Sequence, residues 1–153
     1  MSCILNIETS TSVCSVALSM DGEVLFAKAS FDGPSHAALL GVFVEEALSV
    51  LKKKGKKALD AVAVSSGPGS YTGLRIGVSV AKGLCFGFGI PLIGIHTLDI
   101  MAATVNSKGD SQIVSITDDF LSCAMLDARR MEVYAAIYDA SLKPVRETKA
   151  DIV

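Results

Sequence analysis

The chain has 153 residues, half of them hydrophobic, with a net charge of −2, a sequence pI near 5.6 and a mean hydropathy of +0.49. That length allows one domain or one and a fraction, and the weakly acidic balance disfavours a general nucleic-acid binder. The longest uncharged run, 83–98, is interrupted by Gly87, Gly89, Pro91 and Gly94 and makes a poor membrane span, and no basic stretch precedes Glu8 as a signal peptide would need. A cytosolic protein without membrane contact is expected, with more apolar surface than its own core hides and therefore a partner. Cys3, Cys14, Cys85 and Cys123 show no Cys-x-x-Cys spacing and read as buried thiols of a reducing compartment rather than a metal site.

Three short strands open the chain at 3–7, 13–20 and 23–29, with Asp21-Gly22 as a hairpin turn between the last two. The period then changes. Over 35–51, Leu40, Phe43, Val44, Ala47, Leu48 and Leu51 line one face of a helix, with Ser35 as N-cap and Lys52–Lys54 and Gly55 at its end. A buried strand at 61–65 leads through a glycine-rich elbow into a helix running to about 86. A strand at 91–95, a helix at 97–105 and two strands at 121–126 and 132–138 complete the series, and no internal repeat is visible. The order βββαβαβα describes an α/β mixed sheet, antiparallel at its start with parallel crossovers after, as in ribonuclease-H-like and actin-like half-domains. The expected division is an N-terminal lobe at 1–106, a polar linker at 107–111 and the start of a second lobe at 112–153. The final hairpin cannot close a core alone, so either the chain is a fragment or the hairpin packs on the first lobe.

The elbow Gly67-Pro68-Gly69-Ser70 places backbone N–H groups and a helix N-terminus where an anion would sit. It matches neither familiar phosphate loop. The dinucleotide fingerprint would need glycine where Thr72 stands, and a Walker A loop would need a Gly-Lys-Ser/Thr that does not follow. Glycines also continue beyond the elbow: Gly73, Gly77 and Ala81 recur every four residues, and Gly83 and Gly87 form a second such pair. Each mid-helix glycine costs on the order of 1 kcal/mol against alanine. Close approach of two backbones would offset that cost, either inside the subunit or between helices 35–51 and 72–86 of associating subunits. Arg75, in the first turn of its helix, is repelled by the dipole and expected to pair with a carboxylate or phosphate.

Other chemistries lack their residues. Metal-dependent nuclease chemistry has Glu8 and Glu45 or Glu46, but the strand ending at Ser65-Ser66-Gly67 supplies no third acid, and Asp60 lies at its wrong end. A phosphotransferase or ATPase would use Glu8, Thr9 and the 67–72 elbow, with a second phosphate loop that is not visible. A peptidase would need a base beside Ser65, Ser66 or Ser70; Gly-x-Ser-x-Gly is absent, and His36 and His96 read as capping or packing residues. The lysines at 52–57, without interleaved aromatics, read as a solvated helix end.

The segments ILNIETSTS (4–12), GPGSYTGLRIGVSVAK (67–82), IPLIGIHTL (90–98) and DARRMEVY (127–134) resemble the bacterial TsaB family, also called YeaZ. The resemblance implies an actin-like, two-lobed fold and a part in making threonylcarbamoyladenosine beside the anticodon of tRNA. It implies a non-catalytic scaffold, paired with the paralogue TsaD, which performs the transfer, with TsaE as an accessory ATPase, a homodimer when alone, and tRNA met indirectly. An older name for the family is glycoproteases. TsaD carries two metal-binding histidines where this chain has Thr97 and Met101, so no catalytic or metal-binding residue is expected here. Glu8 replaces the aspartate usual in the family. Family members continue past Val153, so an incomplete second lobe is expected. The candidate partner interface is His36, Leu40, Phe43, Tyr71, Leu74, Arg75, Gly77 and Val78, with the helical face left open. The candidate anion or nucleotide site is Glu8, Thr9, Gly67, Gly69, Ser70 and Thr72. No cofactor is required by the chain itself, and ATP or ADP would sit at a partner interface.

Overall fold

The computed structural model describes residues 2–31, 36–55, 58–107 and 120–152. The element order is β1 (Cys3–Glu8), β2 (Cys14–Met20), β3 (Glu23–Ser30), α1 (His36–Lys53), β4 (Ala61–Ser65), α2 (Tyr71–Phe88), β5 (Leu92–Ile95), α3 (Thr97–Ser107), β6 (Ser122–Arg129), β7 (Glu132–Tyr138) and β8 (Pro144–Ile152). The chain forms two compact units, Met1–Ile95 and His96–Val153.

The first unit is a five-stranded sheet in the order β3-β2-β1-β4-β5. β1 pairs antiparallel with β2 and parallel with β4, and β4 pairs parallel with β5. Local chemistry accounts for each join. Asp21 and Gly22 both take positive φ, as a two-residue hairpin on a right-twisted ribbon requires. The Asp60 carboxylate accepts the Cys3 N–H at 2.6 Å while its own N–H donates to the Cys3 carbonyl at 2.8 Å, tying the starts of β1 and β4 together. That is the structural use of the acid at the far end of the strand from the elbow. β4 is buried at every position, as a central parallel strand is.

Alternation sorts the side chains. Cys3, Leu5 and Ile7 of β1 and Cys14, Val16 and Leu18 of β2 form one core with Leu40, Phe43, Val44, Ala47 and Leu51 of α1 and Ala81 of α2. Burial pushes the Cys14 thiol pKa up. α1 begins at His36; Pro34, the Ser35 cap and the lysines at 56 and 57 lie outside the described residues. α1 is fastened to the edge strand β3 by Lys28, which meets Glu46 at 2.6 Å and stands 4.9 Å from the centre of the Phe43 ring. α2 ends at Gly89, which is left-handed (φ 66°) and returns its N–H to the Cys85 carbonyl.

The second unit holds α3 and a three-stranded sheet in the order β6-β7-β8. Two points differ from the sequence expectation. α3, grouped by sequence with the first lobe, packs Leu98 and Ala102 with Ala124, Ala136 and Tyr138 of the sheet. And β8 has no counterpart among the expected strands, so the final hairpin gains a third strand. The linker expected at 107–111 lies, but for Ser107, outside the described residues. Cys123 is exposed on β6 and Cys85 half-buried, which corrects the expectation of four buried thiols.

Candidate functional site

The residues at the end of β1 and the start of α2 are clipped together. After Glu8 the chain turns through Thr9, Ser10 and Thr11. The Ser70 N–H donates to the Ser10 carbonyl at 2.6 Å. Ser70 then caps α2: its hydroxyl accepts the Gly73 N–H at 3.2 Å and its carbonyl accepts the Leu74 N–H at 2.8 Å. The Glu8 carboxylate accepts the Ser10 N–H at 2.6 Å and the Ser65 hydroxyl at 2.9 Å, so it joins the ends of β1 and β4.

The glycines make this approach feasible. A Cβ on Gly69 would overlap the Ser10 backbone, one on Gly73 the Thr9 carbonyl oxygen, and one on Gly77 the Thr9 hydroxyl. The Gly73–Gly77–Ala81 stripe is therefore filled by the subunit's own β1 turn and core. Gly83 and Gly87 differ, since a Cβ on either would have nothing within 4 Å. The same spacing by four thus marks a close approach at Gly73 and Gly77 and open space at Gly83 and Gly87.

All the elbow candidates lie in this clip or at its rim. Glu8, Thr9, Gly67, Gly69 and Ser70 are brought together, while Thr72 is exposed on the first turn of α2. Among the described residues, the buried Thr9 and Ser10 hydroxyls have no hydrogen-bond partner. Yet the space beside Gly69 is taken by Ser10 itself, the amides of Ser70, Gly73 and Leu74 are engaged within the clip, and the carboxylate of Glu8 stands alongside. These groups alone do not fit a phosphate.

The interface candidates divide by burial. His36, Leu40 and Phe43 are buried in the unit's own interior, and Gly77 is covered by Thr9. His36 donates from Nε2 to the Thr11 carbonyl at 2.9 Å and lies against Gly73, so α1 and α2 share one face of the sheet. Leu74 and Val78 are half-buried. Tyr71 is 75% exposed, and the Arg75 guanidinium stands 5.4 Å from the centre of its ring. Sequence reasoning missed Lys82 and Phe86, which share that outward side of α2; Phe86 is 92% exposed. Their spacing from Arg75 and Tyr71 was the available signal.

In the second unit, the Tyr138 hydroxyl donates to Asp99 at 2.6 Å, and burial together with that carboxylate pushes the phenol pKa up. Thr97 is buried at the first position of α3, and Met101, one turn on, packs against the second core. A bulge in β8 sets Glu147 and Thr148 against the single Ala136, since Arg146 pairs with Ile137 and Lys149 with Ala135. The extra residue brings Arg146 and Asp151 to one face, where they meet at 2.5 Å and 2.7 Å. Among the described residues no helix is long and apolar enough to cross a membrane, and no three His, Cys, Asp or Glu side chains cluster as a metal site.

A family model described as TsaD, tRNA N6-adenosine threonylcarbamoyltransferase, matches residues 32–153. The Escherichia coli (strain K12) tRNA threonylcarbamoyladenosine biosynthesis protein TsaB is 38% identical over 139 residues, covering 88% of this chain and 54% of that protein. A Pseudomonas aeruginosa crystal structure described as similar to peptidase YeaZ superposes with a TM-score of 0.79 at 30% identity, covering 99% of this chain and 67% of that one. An exopolyphosphatase from Cytophaga hutchinsonii superposes with a TM-score of 0.52 at 12% identity, covering 99% of this chain and 51% of that one, a likeness of fold alone. The architecture is thus α/β and actin-like. The chain spans about half the length of the curated relatives it matches.

Proposed function

The chain belongs to the TsaB (YeaZ) family, and from that membership we propose that it is a non-catalytic scaffold subunit in the threonylcarbamoyl modification of tRNA adenosine beside the anticodon. It pairs with a TsaD-like paralogue that carries out the transfer, with a TsaE-like ATPase as accessory, and it meets tRNA through that assembly in the cytoplasm. Alone, it associates with a second copy.

One observation carries the scaffold role. At the start of α3, where the resemblance implies that the paralogue TsaD carries two histidines, the chain has Thr97 and Met101; Met101 packs against the core of Leu98, Ala102, Ala124, Ala136 and Tyr138. A hydroxyl and a thioether give no imidazole pair for a hard or borderline divalent metal. The clip at Glu8, Ser10 and Ser70 supports the same conclusion, because its donors hold β1 and α2 together rather than face a substrate. Any adenine nucleotide in the system then depends on groups from a partner at a shared interface.

The outward side of α2, with Tyr71, Arg75 and the half-buried Leu74 and Val78, is the contact surface. His36, Leu40, Phe43 and Gly77 support it from within. Co-purification of the full chain with the TsaD-like subunit of the same organism tests the pairing. Reconstituted modification of tRNA should require the TsaD-like subunit and rise when this chain is added. Turnover of Mg·ATP or transfer by this chain alone would favour an actin-like phosphotransferase instead.

A further inference from the structure

One stripe of α2 is unlike the rest of the surface. Tyr71, Arg75, Ser79, Lys82 and Phe86 are all exposed and, at about 100° per residue, fall within roughly 80° of one another around the helix. Two aromatic rings thus bracket two cations over about 22 Å, with the cations about 10 Å apart. α2 contains no aspartate or glutamate, and among the described residues neither Arg75 nor Lys82 forms an ion pair. Arg75, the fifth residue of α2, lies just past the first turn at the positive end of the helix, so the dipole gives a cation there no support. Stacking on Tyr71 orients the guanidinium without neutralising it.

We propose that this stripe selects a partner helix bearing carboxylates, and thereby favours association with a different subunit over association with a second copy. The proposal rests on the scaffold role above and adds the chemistry of the partner. In an antiparallel two-fold contact centred between Val78 and Ser79, Tyr71 meets Phe86 of the other copy and Arg75 meets Lys82. The apolar ends match and the charged middle repels. No other register of α2 on α2 supplies a carboxylate, because the helix has none. On α1, Glu46 is engaged by Lys28, which leaves Glu45, in the groove that Phe26, Val42, Val50 and Lys53 also line. A helix with acids at the matching spacing keeps both ring contacts and removes the repulsion. Like-charge juxtaposition of this kind acts against the wrong partner as much as complementarity favours the right one. RNA is the less suitable polyanion, since the stripe is one row of two cations on a chain of net charge −2.

The test uses the full chain and its Arg75→Glu/Lys82→Glu variant, both sites being exposed and outside the core. Analytical ultracentrifugation at low salt should show the mixed pair associating at least about tenfold more tightly than either protein with itself, the difference shrinking toward 1 M salt. Arg75→Gln/Lys82→Gln should strengthen self-association and abolish its increase with salt. Equal self- and mixed association, or self-association weakened by salt, overturns the proposal. So does loss of tRNA binding in the Glu variant with unchanged capture of the TsaD-like subunit. If both wild type and the Glu variant capture that subunit equally, only charge selection fails; if wild type never captures it, the scaffold role itself fails.

Discussion

Gly73, Gly77 and Gly83 occupy one helix yet answer oppositely to a methyl group. At Gly77 the new carbon would overlap the Thr9 hydroxyl, and at Gly73 a backbone carbonyl that cannot rotate away. Gly77→Ala and Gly73→Ala should each destabilise the first unit by about 1–3 kcal/mol. Gly83→Ala, facing open space, should stabilise it by about 0.5–1 kcal/mol. Urea denaturation followed by circular dichroism reads all three, and a neutral Gly77→Ala would contradict the packing described. Removing the carboxylate by Glu8→Ala leaves the Ser10 N–H and the Ser65 hydroxyl without their acceptor, a cost of about 1–3 kcal/mol. Glu8→Gln, which keeps one acceptor oxygen, should cost less than Glu8→Ala in the same titration. The recurrence of small residues was legible in the sequence as a need for proximity. What stood opposite was not, because the Thr9 turn belongs to a strand far away in the chain.

At the scale of elements, β8 shows what periodicity conceals. Arg146, Glu147, Lys149 and Asp151 crowd its middle and Val145 and Ile152 stand near its two ends, so no apolar face marks a strand. Its place comes from the ladder with β7 and from a bulge that only pairing reveals. Two carboxyls of this hairpin sit below the ordinary carboxylate range: Asp139 chiefly through the Ser141 hydroxyl, Asp151 chiefly through Arg146. Each takes up its proton in the unfolded chain before it does so in the folded one. Their contribution is therefore complete above the unfolded value near 3.8 and disappears as pH falls through the lower folded values. The thermal midpoint of the second unit should be flat above about pH 5 and drop below about pH 4. Asp151→Asn should flatten part of that drop, and an unchanged profile would refute the assignment. Tyr138→Phe removes from the buried Tyr138 the hydroxyl that donates to the exposed Asp99 carboxylate and should cost about 1 kcal/mol.

At the scale of the molecule, the two units differ in what holds them. The first buries Leu5, Leu18, Leu40, Val16 and Val62 completely, whereas the second relies on Leu98 and Tyr138 among alanines. Urea should unfold α3 to β8 first, with hydrogen exchange in the first unit persisting to higher denaturant; a single coincident transition would count against separate cores. The strand and helix order, and so the fold class, was readable from period changes and turn residues. The attachment of α3 to the second sheet was not, since its apolar positions fit either neighbour equally well. The interface candidates were named with the helical face left open, so the inward Leu40 and Phe43 stood beside the outward Tyr71. Ser70 grips Ser10, and α2 presents Gly73 and Gly77 to the Thr9 carbonyl and the Thr9 side chain. A body pressing on the outer side of α2 therefore bears on the Thr9 turn, one residue from Glu8.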